Sequence, residues 1–232
     1  MDYPHSYRFV DEAITSRRSV RAFKPDPVPR AVVEDILTVA SRAPSGTNIQ
    51  PWKVHVMVGA SKTELTRKIL EVFNDPDEAA KHTEDYPYYP EKFVSPYIDR
   101  RRKIGWDMYG LLGIGKGDTD KMRAQSARNY MFFDAPVGLM FVIDRAMRQG
   151  SWLDYGMFIQ NVMIAARARG LDTCPQQAFS RFHRVIEAHL QLPDEEMVVC
   201  GMALGFADND APVNRLTTER EPVSGFARFH GF

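Results

Sequence analysis

The stretch from Met197 to Phe206, MVVCGMALGF, is apolar at nearly every position and reads as a strand buried on both faces. Working outward, Val137 to Ile143 reads as a second strand. Val54, Val56 and Val58 alternate with His55 and Met57 and suggest a third. Between these lie helical signals. Trp152, Tyr155, Ile159, Val162, Met163 and Ala166 mark one face of a long helix, and Gly170 stands where a C-terminal cap belongs. Pro29 can open a helix that carries Val32, Val33, Ile36, Leu37 and Ala40 on one face. Residues 7–16 and 62–73 also have helical spacing. The order is helix, helix, strand, helix, insertion, strand, long helix, helix, strand. It implies an α+β fold, a mixed α/β sandwich with few strands.

The chain of 232 residues fits a single domain, 1–232, with an insertion at about 74–120. That insertion is rich in Tyr, Pro and Arg, carries a possible helix at 97–112, and is expected to cover a site. Lys+Arg and Asp+Glu both number 30, so no global basic field exists to gather nucleic acid. The two cysteines, Cys174 and Cys200, are far apart, which excludes a disulfide scaffold and a cysteine zinc site. The first ten residues lack a signal-peptide pattern, and no apolar run approaches the ~18–20 residues of a membrane span. A soluble cytoplasmic protein is expected, without membrane or nucleic-acid partners.

Four polar constellations stand out. Arg17-Arg18-Ser19-Val20-Arg21 can grip a phosphate through charge-assisted bonds, but alone reads more simply as a solvated basic turn. Pro44-Ser45-Gly46-Thr47-Asn48-Ile49-Gln50-Pro51-Trp52 can read the polar edge of a heterocycle, or merely join a helix to a strand. Cys174-Pro175-Gln176-Gln177-Ala178-Phe179 can bring backbone close to a ligand, or form a turn before a helix. Arg215 to Arg220 can close an anion site from the far end of the chain, or be exposed charge. The segment Gly110 to Gly117 matches G-x-x-x-x-G-K but ends in Gly where Ser or Thr is needed, and no strand precedes it. His183 and His189 lack the H-E-x-x-H spacing and no G-x-S-x-G occurs, so neither a metal site nor a hydrolase is expected.

In this order, R-R-S-V-R and A-P-S-G-T-N-x-Q-P-W, then F-F-D-A-P at Phe132 to Pro136, G-L-D-T-C-P and a late Thr-Glu-Arg resemble the flavin-dependent nitroreductase family. The nearest branch contains 4-nitrobenzoate and dinitroaniline reductases, and the match spans nearly all the chain outside 74–120. The resemblance implies a central mixed sheet flanked by helices. It also implies a homodimer that exchanges C-terminal extensions, and FMN bound at the interface. Arg17, Arg18, Ser19 and Arg220 would hold the FMN phosphate, and Arg21 would sit near the N1–C2 edge of the flavin. Pro44, Ser45, Thr47 and Asn48 would come from the partner subunit. Backbone around Pro175, Gln176, Gln177 and Ala178 would face N5, and Asn129 or Arg128, just before F-F-D-A-P, would touch the flavin. NADH or NADPH would reduce the cofactor, and a nitroaromatic would then be reduced to a hydroxylamine in a ping-pong cycle. Tyr88, Tyr97 and Trp106, with Tyr86 and Tyr89, could stack on the acceptor ring. Arg100, Arg101, Arg102 and Lys103 could attract its carboxylate or nitro group. Rival readings are a reductive dehalogenase of halotyrosine-like substrates, with Glu84 and Tyr88 in its lid, a flavin-cleaving enzyme of the same fold, and a non-catalytic FMN-binding protein.

Overall fold

Strand β4, Glu196–Gly205, has ten residues of which nine are buried, and it lies between two neighbours. In the computed structural model, which describes residues 7–231, the sheet order is β1-β2-β4-β3. Here β1 is Lys53–Met57, β2 is Val137–Asp144 and β3 is Asp172–Gln176. All named neighbours are antiparallel. The parallel element of the expected mixed sheet is, among the described residues, a single bridge from Ser19 to Thr173.

Helices cover both faces. In β2, Leu139, Phe141 and Ile143 pack with α2 (Arg30–Ala40) and α7 (Gln149–Arg167). Met140 and Val142 point the other way, toward α3 (Gly59–Asn74) and α8 (His183–Leu190). This alternation follows from the two-residue period of a strand. Phe158 on α7 and Ile69 on α3 are each buried, and full burial of such a side chain stabilises by about 1.5–3 kcal/mol.

The alternation slips once. Phe141 pairs with Cys200 while Val142 pairs with Val198, so Val199 has no partner on β2. Val199 and Cys200 therefore face the same side, toward α7. Tyr155 staples this bulge from α7. Its hydroxyl accepts the Val142 N–H at 3.0 Å and donates to the Lys53 carbonyl at 2.6 Å.

The expected helices and strands are present within a few residues of their sequence limits. One strand was missed. The Cys174-Pro175 segment, read as a turn, is β3, where Pro175 pairs opposite Met202. Strand β3 closes the sheet order, so a proline that cannot donate to a ladder is tolerated there. In the segment 74–120 the helix expected at 97–112 is α5 (Tyr97–Leu111), and α4 (Pro76–Ala79) and the start of α6 (Thr119–Ala127) add to it. α1 spans Tyr7–Ser16, and the tail holds one short helix, α9 (Val223–Phe226).

The F-F-D-A-P motif has a packing reason. Phe132, Phe133 and Asp134 have φ of 51°, 52° and 67°, a left-handed run costly for L-residues. It persists because both rings are buried and Phe132 lies over Phe179 at 4.6 Å. Gly138 leaves room for Phe132, as Gly201 does for Phe179. Adding a methyl at Gly201 would overlap the buried Phe179 ring. Gly201→Ala should cost about 1–3 kcal/mol in urea unfolding. Gly150→Ala, with nothing near the added carbon, serves as the near-neutral control.

Candidate functional site

The chain meets β3 at Ser19 and Val20 and, three residues on, pairs Phe23 with Ala207 beyond β4. The Val20 N–H donates to the Thr173 carbonyl at 3.0 Å, and Ser19 bridges Thr173. Successive side chains of an extended chain point to opposite sides. Arg17, Ser19 and Arg21 consequently all act on Cys174. Arg18 does not join them. It turns to the opposite side, donates to Asn209 Oδ1 at 3.1 Å, and lines a separate polar pocket with Lys24 and Arg167. Its side chain thus stands apart from Arg17, Ser19 and Arg21, with which it was expected to share the phosphate.

Arg17 and Arg220 come within electrostatic range although they lie at opposite ends of the chain. Burial, and then the charge of Arg220, pull Arg17 below the ordinary guanidinium value. Arg17 touches Met163 Sδ at 3.8 Å, and Arg21 donates to the Ser19 carbonyl at 3.2 Å. Arg220 donates to Thr218 Oγ1 at 2.7 Å. Among the described residues, none of the three has a carboxylate partner.

Arg21 stands at the rim of a cleft of about 520 Å³. Its floor is Cys174, Pro175 and Gln176 of β3 with Val199 and Cys200 of β4. Trp152, Tyr155, Gly156 and Ile159 of α7 form one wall. Asn129, Gln177 and Ala178 lie at another side, and Tyr86, Tyr88 and Tyr89 come from the insertion. Gln176 is 3% exposed; its Nε2 donates to the Asn129 carbonyl at 2.7 Å, and its Oε1 has no partner. Thr173 Oγ1 is also buried without a partner.

Tyr86 is the best-anchored aromatic of the insertion. Its hydroxyl donates to the Val199 carbonyl and accepts from Gln177 Nε2 at 2.7 Å. Its ring meets Trp152 edge-on at 4.5 Å. Burial pushes its phenol well above the ordinary range. Among the three tyrosines that sequence reading placed in the lid along with Tyr97 and Trp106, nothing local singled out Tyr86, because its anchor is a carbonyl freed by the bulge.

Tyr97 and Trp106, expected against the acceptor, lie outside the cleft. Both sit exposed on α5, and Trp106 lines an outer groove with Ile98 and Tyr109. Arg100 pairs with Glu221 at 2.5 Å, which joins α5 to the tail; both side chains are about half exposed, so the pair accompanies this placement rather than fixing it. Lys103 pairs with Asp107 at 2.7 Å. Arg101 lies over Tyr89 and Phe93 at 5.1 and 4.6 Å. The basic run is therefore largely engaged within the chain itself.

The Pro44 loop is exposed beside α7. Thr47, Asn48 and Gln50 have positive φ, backbone strain of a kind that clusters at functional sites. Pro44 lines a groove that shares Trp152 and Gly156 with the cleft, while Ser45, Thr47 and Asn48 do not line the cleft of the single chain. One group of ligand-type side chains, Asp85, His183 and Glu187, gathers within 4.8 Å. Arg145 already supplies its cation, at 2.7 Å from Asp85 and 3.1 Å from Glu187.

The fold and cleft together define an α+β protein with a cleft of mixed polar and aromatic lining, on which Arg21 stands without a carboxylate partner among the described residues. Such a site suits a planar heterocycle bearing an anionic group. The Nitroreductase family model matches residues 14–206. The chain is 43% identical to a 4-nitrobenzoate reductase of Pseudomonas putida, covering 96% of each. It is 40% identical to a chloronitrobenzene nitroreductase of Comamonas testosteroni, covering 95% of this chain and 96% of that one. The crystal structure of the FMN and NADPH-dependent nitroreductase NfnB from Sphigopyxis sp. strain HMH superposes with a TM-score of 0.92 at 35% identity, covering 96% of this chain and 99% of that one. The chain belongs to the nitroreductase family.

Burial pushes the Cys174 thiol up to about 11, against the opposing pull of Arg21, Arg17 and Ser19, and pushes Cys200 up to about 12. At pH 8 both should resist a charged disulfide reagent in the folded protein and react within the mixing time once unfolded, as read by thiolate release. Rapid reaction of the native protein would show that the cleft floor is open.

Proposed function

We propose that this chain is an FMN-dependent oxidoreductase that reduces nitroaromatic compounds to hydroxylamines with NAD(P)H, acting as a cytoplasmic homodimer. The observation that carries this reading is Arg21 lining an aromatic cleft, with Arg17 and Ser19 acting beside it on Cys174 of the cleft floor and Arg220 within electrostatic range of Arg17, and none of the three arginines having a carboxylate partner among the described residues. Concentrating like charge near a half-buried guanidinium is unfavourable until an anion joins it. Gln176, whose Oε1 has no partner, adds polar capacity at the floor of the cleft. These groups fit FMN. Arg17, Ser19 and Arg220 would hold its phosphate, Arg21 the electron-rich edge of its ring system, and Gln176 to Ala178 the opposite edge.

When bound, FMN supplies the carrier that accepts hydride from NAD(P)H and passes it to the acceptor. The chain's own contribution is binding, orientation and electrostatics. Arg21 places a fixed cation where negative charge grows on reduction, which favours the reduced state. Trp152 and the insertion tyrosines narrow the slot and exclude water. We assign the insertion at about 74–120 the role of lid, with Tyr88 and Tyr89 closest to the acceptor. Pairing of two chains is supported by exposed apolar side chains on the outer helices: Phe9 and Ile14 on α1, Val39 on α2, and Leu153, 71% exposed, on α7. The strained Pro44 loop, displaced from its own cleft, suits completion of the partner's cleft. No helix among the described residues is long and apolar enough to cross a membrane.

Absorbance spectroscopy tests the reading. The FMN-loaded protein should bleach on adding NADH or NADPH under anaerobic conditions, and recover its colour on adding a nitroarene, with a hydroxylamine as product. Bound flavin that neither nucleotide reduces would mark a binding protein, and failure to take up FMN would defeat both readings. Sedimentation of the loaded protein should give twice the chain mass.

The two neighbouring arginines separate sharply. Arg17→Ala should weaken FMN binding at least tenfold, since a hydrogen bond to a charged group is worth about 1.5–3 kcal/mol. Arg18→Ala, facing the other side, should change it less than about threefold, in the range of an exposed charge. Fluorescence titration of apoprotein measures both; equal losses would reject the side assignment. Arg21→Ala should retain the fold, slow reduction by NAD(P)H and lower the flavin potential.

A further inference from the structure

The side-chain amide of Gln177 has only one orientation open to it. Its Nε2 lies 2.7 Å from Tyr86 Oη and 2.9 Å from Ser180 Oγ. Each hydroxyl has a single proton, and both are committed elsewhere. Tyr86 donates to the Val199 carbonyl, and Ser180 donates to the Gln177 backbone carbonyl at 2.9 Å. Toward Gln177 both oxygens can therefore only accept. A flipped amide would set its own oxygen against two acceptors. The two N–H groups consequently face Tyr86 and Ser180, and Oε1 is left as an acceptor. Gln177 lines the cleft, its Oε1 is not among the fully buried atoms without partners, and no hydrogen bond within the described residues uses it.

Nothing in this arrangement depends on a ligand. It begins at the bulge, since Val199 is the β4 residue without a β2 partner, and Tyr86 satisfies its carbonyl. An obligate acceptor at the cleft wall discriminates between partners by protonation state. It attracts an N–H and repels a lone pair.

We propose that Gln177 Oε1 is a fixed acceptor that favours the reduced form of the bound flavin, whose ring nitrogen carries a proton, over the oxidised form, whose nitrogen carries a lone pair. Tyr86 and Ser180 are positioning residues that hold the amide in that sense. The inference rests on the FMN reading above and extends it to a group that sets the potential. The insertion thus acts on the redox balance through Tyr86 without touching the cofactor.

The experiment is a spectroelectrochemical titration of the FMN-loaded parent and of the Gln177→Met, Tyr86→Phe and double variants. Gln177→Met removes the acceptor while keeping the volume, and strands no proton of Tyr86 or Ser180. Its reduced-to-oxidised ratio at a given potential should fall up to about tenfold, equivalent to about 30 mV for a two-electron couple. Tyr86→Phe frees one side of the amide and should shift the potential the same way by less. The double variant should fall no further than Gln177→Met. A parent and a Gln177→Met variant of equal potential would overturn the inference while leaving the functional reading intact. An unchanged potential with weakened NADP+ binding would move the acceptor to the nicotinamide carboxamide, and also overturns it. If Gln177→Met does not fold or load, an unshifted Tyr86→Phe decides against the proposal. A parent that takes up no FMN would remove the reading and the inference together.

Discussion

One extra residue in the central strand organises this molecule. Because Phe141 pairs with Cys200 and Val142 with Val198, Val199 is left over between them. An unpaired backbone carbonyl in the sheet interior costs free energy comparable to a lost hydrogen bond unless something satisfies it. Tyr86 does so from the insertion, and Tyr155 seals the same irregularity from α7 by bonding Val142 and Lys53. The bulge also turns Val199 and Cys200 to one side, which widens the floor beneath α7. Cleft, lid anchor and sheet geometry are thus one structural fact rather than three.

The arginines obey a different logic. An extended segment alternates its side chains, and the Ser19–Thr173 bridge fixes that alternation against β3. Arg17 and Arg21 therefore share a side with Ser19, whereas Arg18 is excluded. Arg220 joins from the tail and raises the local positive charge further. A folded protein holds such a cluster only when the surrounding contacts outweigh the repulsion, and an anion that joined it would relieve that repulsion.

Two adjacent residues of the insertion make contacts deep in the body, besides the bond from Arg181 to the Ala79 carbonyl at 2.8 Å. Asp85 is clamped by Arg145 at 2.7 Å, beside His183 and Glu187, and Tyr86 reaches the bulge. Beyond them the segment lies on the surface and is tied to the tail through Arg100 and Glu221. A segment pinned at its base and ionically fastened at its far side can vary in between, which is where Tyr88 and Tyr89 meet the cleft.

Local sequence determined most of the elements. Helical periodicity marked α2, α3 and α7, and apolar runs marked β2 and β4, because those signals depend only on neighbours in the chain. The order of the polar motifs carried the family. β3 was hidden because a proline in a five-residue strand looks like a turn until the sheet edge is known. The side of Arg18, the outward placement of Tyr97 and Trp106, and the anchoring of Tyr86 were decided only by tertiary structure. Each depends on strand parity, on a register slip, or on how segments far apart in the chain pack together, and none of these leaves a trace in the local pattern of the chain.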